Sequence, residues 1–353
     1  MTQRTEKGSE QGGAHVAVVG ATGVVGQAIL HCIDALGLPV RRLDLVASAR
    51  SAGKLVSTPV GDITVQDIEH YAFEDVDIAL FSAGKDVSLA HAPRAVKQGA
   101  LVIDNTSAFR MDDGIPLVVP EVNPQEIRLR PGIIANPNCS TIEMVLALKA
   151  IDDAAGLETV RVSTYQSCSG AGQKGIDALL DETHQALAGR RPVYSQVHAR
   201  GIAFDVVPQI GAILTHGFTE EEMKMIGETK KILSRPDLRI SATCVRVPVL
   251  RGHCEVVHVT TRQALPPKEA EQALNAMPGL RVTDIQDPLD YPTATQSEGI
   301  FETLIGRVRE DYAADKGLIF WIVSDNLLKG AALNAVQVAC IAWNQGRMDS
   351  NAN

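Results

Sequence analysis

Residues 15–26, HVAVVGATGVVG, decide the fold of the first half of the chain. A β-rich apolar run at 15–20 ends in glycine, and an apolar-periodic helix pattern covers residues 25–36. Strand, glycine turn and helix are the context in which a backbone can approach a dinucleotide pyrophosphate. The spacing is GxxGxxG and not GxGxxG. It predicts a dinucleotide-binding turn, and the alternative is a glycine-rich turn without a ligand.

Further strand and helix patterns alternate after this turn. Residues 43–47, 77–81 and 101–104 predict buried strands, and 87–97 predicts a helix. Such alternation is typical of a doubly wound parallel sheet that binds ligands outside the carboxyl ends of its strands. Arg110, just past the last of these strands, could grip an anionic substrate group; the alternative is a solvated surface arginine.

The loop after the second strand indicates which cofactor this sheet binds. An NAD site would place Asp or Glu there, but the chain has SARSAGK at residues 48–54. Hydroxyls at Ser48 and Ser51 and the guanidinium of Arg50 suit a 2′-phosphate, so the loop predicts NADP. The alternative is an exposed basic loop.

Residues 133–149, IIANPNCSTIEMVLALK, predict a short strand, a turn and a helix with Cys139 at its start. Ser140 and Thr141 are candidate caps. A thiol at a helix N-terminus meets the positive end of the helix dipole and free amides. Both features predict a lowered pKa and a nucleophilic role. The alternative is a buried structural cysteine.

The second half of the chain predicts an α+β domain. Strand patterns lie at 160–165, 240–249, 255–261, 304–309 and 318–323, and helix patterns at 176–188, 223–233, 268–276 and 327–343. The strands 240–249 and 255–261 predict an antiparallel pair around a tight turn. His253, in that turn, predicts an accessible acid and base, with a structural histidine as the alternative. Residues 189–217 predict irregular surface or a subunit contact.

Bulk properties narrow the function classes. With 353 residues, two domains are expected. The net charge of −9, without a basic run, argues against a nucleic-acid or membrane partner. The six cysteines have neither disulfide nor zinc spacing, which predicts no metal site and a cytoplasmic location. Residues 1–13 predict a disordered lead-in.

Eight motifs together resemble the aspartate-β-semialdehyde dehydrogenase family along residues 14–346. They are VAVVGATGVVGQ, SARSAGK, DNTSAFR, NPNCSTI, STYQSCSGAG, EEMKMIGETKKIL, CVRVPVLRGHCE and DNLLKGAALNAVQ, in the family's order. The resemblance implies an NADP-binding Rossmann-like domain at 14–137, completed by the C-terminal helix 326–345. It implies a catalytic and dimerisation domain with a mixed or antiparallel sheet at 138–325, and a homodimer.

The resemblance also implies the reaction, which is the NADPH-dependent reductive dephosphorylation of L-4-aspartyl phosphate to L-aspartate 4-semialdehyde and phosphate. This step belongs to the pathway of lysine, diaminopimelate, threonine, methionine and isoleucine. The implied catalytic residues are the thiolate Cys139, the acid and base His253, and Gln166, which orients the substrate. The implied substrate residues are Arg246 at the α-carboxylate, Glu221 at the amino group, and Arg110 and Lys224 at the phosphate. The implied cofactor residues are Gly20, Thr22, Gly23, Val24, Val25, Ser48, Arg50, Ser51, Ser169, Gly170 and Asn326.

Two other functions remain open. An N-acetyl-glutamyl-phosphate reductase shares the thioester chemistry, but its acylated substrate amine does not need Glu221 as a counter-charge. A non-catalytic NADP-binding paralogue is the other, and retention of Cys139, Gln166, Arg246 and His253 argues against it. One departure from the family is Cys168, for which we hypothesise a reversible disulfide with Cys139 under oxidation.

Overall fold

The computed structural model describes residues 12–190, 193–283 and 290–351, with side chains up to residue 346. Residues 1–11 of the lead-in predicted at 1–13 lie outside the described residues. Within the described ranges the chain builds two six-stranded sheets and a two-stranded hairpin.

The first sheet is entirely parallel, with the order β5-β2-β1-β6-β7-β8. The strands of this half, including the separate β3–β4 hairpin, are β1 (Ala14–Val19), β2 (Val40–Ala47), β3 (Leu55–Thr58), β4 (Gly61–Thr64), β5 (Gln66–Asp67), β6 (Ile78–Phe81), β7 (Leu101–Asp104) and β8 (Gly132–Ala135). Helices α1 (Val24–Ala35) and α2 (Lys85–Lys97) connect them. Every residue of β1, β6 and β7 is buried, as expected for strands covered on both faces.

Two glycines shape the turn between β1 and α1. Gly20 has φ +89°, and a Cβ there would lie 2.9 Å from the backbone nitrogen of Ala83. A Cβ on Gly26 would lie 2.2 Å from the Gly20 carbonyl oxygen. The turn therefore requires glycine at both positions, and α1 can pack closely against the strand.

The second sheet is mixed, with the order β10-β9-β11-β14-β13-β12. Its strands are β9 (Leu157–Gln166), β10 (Arg239–Arg246), β11 (His253–Thr261), β12 (Leu280–Val282), β13 (Thr303–Glu310) and β14 (Gly317–Ser324). The remaining helices are α3 (Cys139–Ala155), α4 (Gln173–Leu187), α5 (Glu220–Ile232), α6 (Pro267–Ala276), α7 (Ala294–Ser297) and α8 (Leu333–Asn351). A parallel sheet plus a mixed sheet confirms the predicted fold class.

The predicted antiparallel pair of residues 240–249 and 255–261 is wrong. β9 lies between β10 and β11, pairing in parallel with β10 and antiparallel with β11. The connection at 247–252 therefore crosses the end of β9, and Val247 donates its backbone N–H to the Gln166 carbonyl. This crossing brings His253 to the end of β9, where Gln166 and Ser167 lie.

Helix α3 lies in the core of the second half and touches both halves. It packs against α5, α6 and β11, and nearly all of its residues from Ser140 to Ile151 are buried. A π-helical turn, Leu328–Ala332, precedes α8 and packs on α1 and α3. The chain thus returns to the first sheet immediately beside the start of α3.

Candidate active site

Cys139 is the first residue of α3, as predicted, but the cap differs. Asn138 is the N-cap, and its Oδ1 accepts the backbone N–H groups of Ser140 and Thr141 at 3.1 and 3.4 Å. Ser140 and Thr141 are therefore capped residues and not caps. Because Asn138 already binds these two amides, they are not the free oxyanion donors that the sequence suggested.

The predicted lowering of the Cys139 pKa is also wrong in this structure. Burial, followed by the neighbouring carboxyl groups of Glu221 and Glu143, raises the pKa of the thiol to about 12. The backbone amide of Ser140 and the charge of Arg110 act in the opposite direction but are weaker. The thiol is therefore protonated at neutral pH, and its proton must leave during the reaction.

The π-helical turn at 328–332 lies against Cys139. A Cβ on Gly330 would come within 2.8 Å of the Cys139 Cβ and within 3.2 Å of Glu143 Oε1. Any larger residue at position 330 would therefore displace Cys139. Such π turns are frequent at functional sites.

The sequence predicted an accessible His253, but the side chain is fully buried. Its Nδ1 accepts the backbone N–H of Ser167 at 3.1 Å, so the neutral ring carries its proton on Nε2. Burial, together with the nearby Arg246, lowers the pKa of His253 to about 3. The structure therefore holds a neutral imidazole with a free Nε2–H, since Nε2 is buried without a hydrogen-bond partner.

Gln166 and Glu221 meet beside the start of α3. The Gln166 amide donates to Ser140 Oγ and, at 3.3 Å, to Glu221 Oε1. Glu221 also accepts from Asn138 Nδ2 at 2.8 Å and pairs with Lys224 at 3.2 Å. Burial raises the pKa of Glu221, but the charge of Lys224 and these hydrogen bonds outweigh it, and the net pKa is lowered. The pair is thus a charged part of the site and not an isolated surface ion pair.

Arg246 lies on the other side of the same cluster. It is buried, and its Nη1 donates to the Ser167 carbonyl at 2.5 Å. A Cβ on Gly170 would lie 2.9 Å from Arg246 Nη1 and 3.3 Å from His253 Nε2. The absence of a side chain at Gly170 therefore keeps open the space that these two cationic or proton-donating groups share.

Arg110 reaches the site through a residue that the sequence did not single out. Glu228, fully buried, accepts from Arg110 Nη1 at 3.1 Å and from the backbone N–H of Asn138 at 2.7 Å. Arg110 Nη2 donates to the Asn105 carbonyl, whereas its Nε is buried without a partner. Glu228 lies seven residues, or two helical turns, after Glu221, and that periodicity on α5 was the available signal.

Eight of the predicted cofactor residues line a cleft beside the first sheet, which two adjoining cavities form. One cavity of about 230 Å³ is lined by Gly20, Thr22, Gly23, Ser48, Arg50 and Ser51, and one of about 1120 Å³ by Thr22, Gly23, Val24, Val25, Arg50, Ala171, Gly172 and Leu327 among others. The predicted cofactor residues Ser169, Gly170 and Asn326 line neither cavity. Ser169 and Asn326 are buried and hydrogen-bond each other at 3.0 Å. Asn326 Oδ1 also accepts from Gly252 N–H at 2.9 Å.

This cleft fits a dinucleotide. Its floor is the turn at which Gly20 and Gly26 exclude a Cβ, and an arginine and two serines lie at its adenosine end. Its other end reaches residues 171–172, next to Gly170 and His253. A nicotinamide bound there would lie near the reacting atoms.

Cys168 lies in a small apolar cluster with Leu179, Ile202 and Val207. Its thiol contacts the Val247 carbonyl at 3.6 Å, and burial raises its pKa to about 11. All six cysteines are free thiols. The disulfide between Cys168 and Cys139 remains a hypothesis. The burial of Cys168 makes its thiol less reactive.

Neither a metal-binding cluster nor a membrane-spanning helix occurs among the described residues. Among them no group of three or more His, Cys, Asp or Glu side chains could hold a metal ion. No helix in the described ranges is long and apolar enough to cross a membrane.

Comparison with known proteins gives consistent matches along the chain. The family models described as "Semialdehyde dehydrogenase, NAD binding domain" and "Semialdehyde dehydrogenase, dimerisation domain" match residues 15–130 and 148–329. The aspartate-semialdehyde dehydrogenase of Bacillus subtilis is 48% identical over 335 residues, covering 93% of this chain and 96% of its own length.

Solved structures agree. Aspartate semialdehyde dehydrogenase II of Vibrio cholerae, complexed with ASA, has a TM-score of 0.89 at 45% identity, covering 94% of this chain and 98% of that one. The Candida albicans enzyme, solved with NADP, has a TM-score of 0.73 at 25% identity, covering 94% and 99%. Because both its fold and its sequence match, the chain belongs to the aspartate-semialdehyde dehydrogenase family.

Proposed function

We propose that this enzyme reduces L-4-aspartyl phosphate to L-aspartate 4-semialdehyde with NADPH, through a thioester on Cys139. The observation that carries the proposal is the network around Asn138. This one residue caps the Cys139 helix. It donates its side-chain amide to Glu221 and its backbone N–H to Glu228, the partner of Arg110. Asn138 thus links the nucleophile to groups that suit a substrate amine and a phosphate.

Opposite charges suit the two ends of the substrate. Glu221 supplies a carboxylate for the amino group, and Arg246 supplies a guanidinium for the α-carboxylate. Arg110, with its free Nε–H, and the half-exposed Lys224 suit the phosphate. Gln166, hydrogen-bonded to Ser140 and Glu221, would hold the reacting carbonyl over Cys139.

The proton balance follows from the two pKa values. Sγ bonds to the acyl carbon, the C–O bond to phosphate breaks, and the thiol proton leaves with the phosphate as hydrogen phosphate. Bound NADPH supplies the hydride that reduces the thioester. His253 Nε2–H then donates a hydrogen bond to the oxygen that becomes negative, which takes one proton from water. Collapse of the thiohemiacetal releases the aldehyde and returns a proton to Sγ.

NADP specificity is supported by the adenosine end of the cleft. Arg50 lines both cavities, and Ser51 accepts a hydrogen bond from Thr22 at 3.3 Å. No acidic side chain lines the smaller cavity, so nothing there would repel a 2′-phosphate. Glycine amides of the β1–α1 turn suit the pyrophosphate.

The test is a reverse assay with phosphate and NADP, which follows NADPH absorbance with two different semialdehydes. We expect phosphate-dependent NADPH formation with aspartate semialdehyde and at least a hundredfold less with N-acetylglutamate semialdehyde, because Glu221 would lack its ammonium partner. A preference for the acylated substrate would make this chain an N-acetyl-glutamyl-phosphate reductase instead.

The proposal includes the division of labour between the two halves. Residues 14–137, completed by 326–345, would bind NADP, and 138–325 would hold the substrate and the dimer interface. Exposed apolar side chains on the second half, at Tyr194, Phe204, Val206 and Ile213, support a homodimer. Six free thiols fit a cytoplasmic location.

A further inference from the structure

Two buried glutamates that the mechanism does not use lie on the same elements as the reacting pair. Glu143 follows Cys139 by four residues on α3, and side chains four apart on a helix are neighbours. Glu255 follows His253 by two residues on β11, so both side chains are on the same face of the strand. A Cβ on Gly330 would touch both the Cys139 Cβ and Glu143 Oε1, which places this carboxyl beside the nucleophile.

Both carboxyls are sealed in the interior. Glu143 and Glu255 are each 0% exposed. None of their four oxygens makes a hydrogen bond of ordinary geometry, although the Ser140 hydroxyl is close enough to Glu255 to influence it. An ionised carboxylate buried without donors is costly, whereas a protonated carboxyl pays much less for leaving water.

Among the described residues, no cation forms an ion pair with Glu143 or Glu255. Arg110 is bound to Glu228, Lys224 to Glu221, Arg251 to Asp325 and Lys329 to Glu121, and Arg246 donates to the Ser167 carbonyl. His253 is neutral. Burial, then Glu255 and Asp325, raises the pKa of Glu143, and burial raises that of Glu255 against the weaker effect of Ser140.

We propose that Glu143 and Glu255 form a carboxyl pair that stays protonated at neutral pH and acts through Cys139 as a pair of positioning residues. Within the proposed thioester mechanism, the protonated pair provides uncharged surroundings for the Cys139 thiol. When one carboxyl ionises at alkaline pH, its charge opposes thiolate formation at Cys139 and slows thioester formation.

Difference infrared spectroscopy tests the protonation directly, in the purified full chain at pH 7 in H₂O and in D₂O. We expect a C=O stretching band of a protonated carboxylic acid, reduced in Glu143→Gln and in Glu255→Gln. The matched control is Glu182→Gln, because Glu182 is also buried but accepts two backbone amides, from Ile202 and Ala203. An acid band that is missing, or that neither variant reduces, would overturn the proposal.

Alkylation of Cys139 gives a second readout, with Cys139→Ser marking the rate of the other thiols. Because glutamine is also uncharged, we expect Glu143→Gln to change the alkylation rate at pH 7 by less than about threefold. If the pair were ionised, removing a charge so close to the thiol would speed alkylation by roughly a hundredfold. At alkaline pH, where the wild-type pair ionises, Glu143→Gln should react faster than wild type. Equal rates there would contradict the proposal.

These measurements do not depend on turnover. A failed reverse assay with an intact infrared band would refute the proposed reaction and leave the carboxyl pair standing. Turnover without the band would do the opposite. Each Gln variant is checked for folding by NADP binding, since the cleft lies outside the pair.

Discussion

At the scale of the residue, burial sets the pKa values of Cys139 and His253. The motifs identified both residues, but the expected lowering of the Cys139 pKa and the expected accessibility of His253 failed for the same reason. His253 was expected in an open turn, whereas the crossing of β9 buries it against Ser167 and Gly170. Cys139 was expected to gain from the helix start, whereas Asn138 binds the amides and burial dominates. Burial is a tertiary property, so residue type and spacing cannot reveal it.

The neutral state of His253 predicts a pH dependence of stability. Its folded pKa of about 3 is below the unfolded value of roughly 6.5. The histidine's contribution is therefore fully present above pH 6.5 and is lost as the pH falls, because only the unfolded chain then takes up the proton. Between pH 7 and pH 5 we expect wild type to lose about 2 kcal/mol more unfolding free energy than His253→Asn. Urea denaturation of both proteins measures this difference, and parallel pH curves would contradict the buried neutral histidine.

At the scale of the element, most strands and helices could be predicted, and their pairing could not. The Thr-Glu-Glu-Glu pattern at residues 219–222 is typical of a capping box, and the structure has one, with Glu222 as the partner of Thr219. The pairing of β10 with β11 was wrong because sequence neighbours were assumed to be partners, whereas β9 intervenes. Glu228, Glu143 and Glu255 were missed because a buried acid at a helical or strand position resembles a surface charge until its neighbours are known.

Glu228 on α5 binds both Arg110 and the backbone N–H of Asn138 at the start of α3. We therefore predict that phosphate changes the thermal stability of the Glu228→Gln variant. This change leaves the buried Arg110 guanidinium without its carboxylate partner, which should lower the unfolding free energy by about 3 kcal/mol. Inorganic phosphate, the proposed ligand of Arg110, should restore part of that loss. Thermal unfolding with and without phosphate should therefore show a larger rise in Tm for the variant than for wild type.

Glu220→Gln is the matched control for this experiment, because Glu220 is on the same helix. The hydrogen bond observed for its carboxylate comes from the backbone N–H of Ala212. This variant should behave as wild type. If phosphate raised the Tm of wild type and Glu228→Gln equally, Arg110 would not be at the phosphate site.

At the scale of the whole molecule, the site exists only because the chain crosses between its two halves. The first sheet supplies the cleft, α3 and the second sheet supply the reacting groups, and the π-helical turn at 328–332 returns to close the space beside Cys139. The motifs predicted both halves, but the contact of Gly330 with Cys139 joins residues 191 positions apart in the sequence. No local pattern encodes such a contact.

The homodimer is tested through the exposed apolar surface of the second half. Tyr194 is 86% exposed, and Tyr194→Asp should weaken the dimer at least tenfold, because the interface would then bury an unpaired charge. Val60→Asp is the control, since Val60 is 64% exposed on the β3–β4 hairpin of the first half. Sedimentation velocity over a range of concentrations measures both. A dimer weakened by neither change would place the interface elsewhere.

The thioester mechanism is tested most directly in the Cys139→Ala variant, by measuring both its turnover and its affinity for NADP. We predict that phosphate-dependent reduction of NADP by aspartate semialdehyde falls below detection, because no thioester can form. We also predict that the NADP dissociation constant, measured by calorimetry, stays within about twofold of wild type, because the cleft lies beside the first sheet and does not include the thiol. Measurable turnover in this variant would contradict the thioester mechanism.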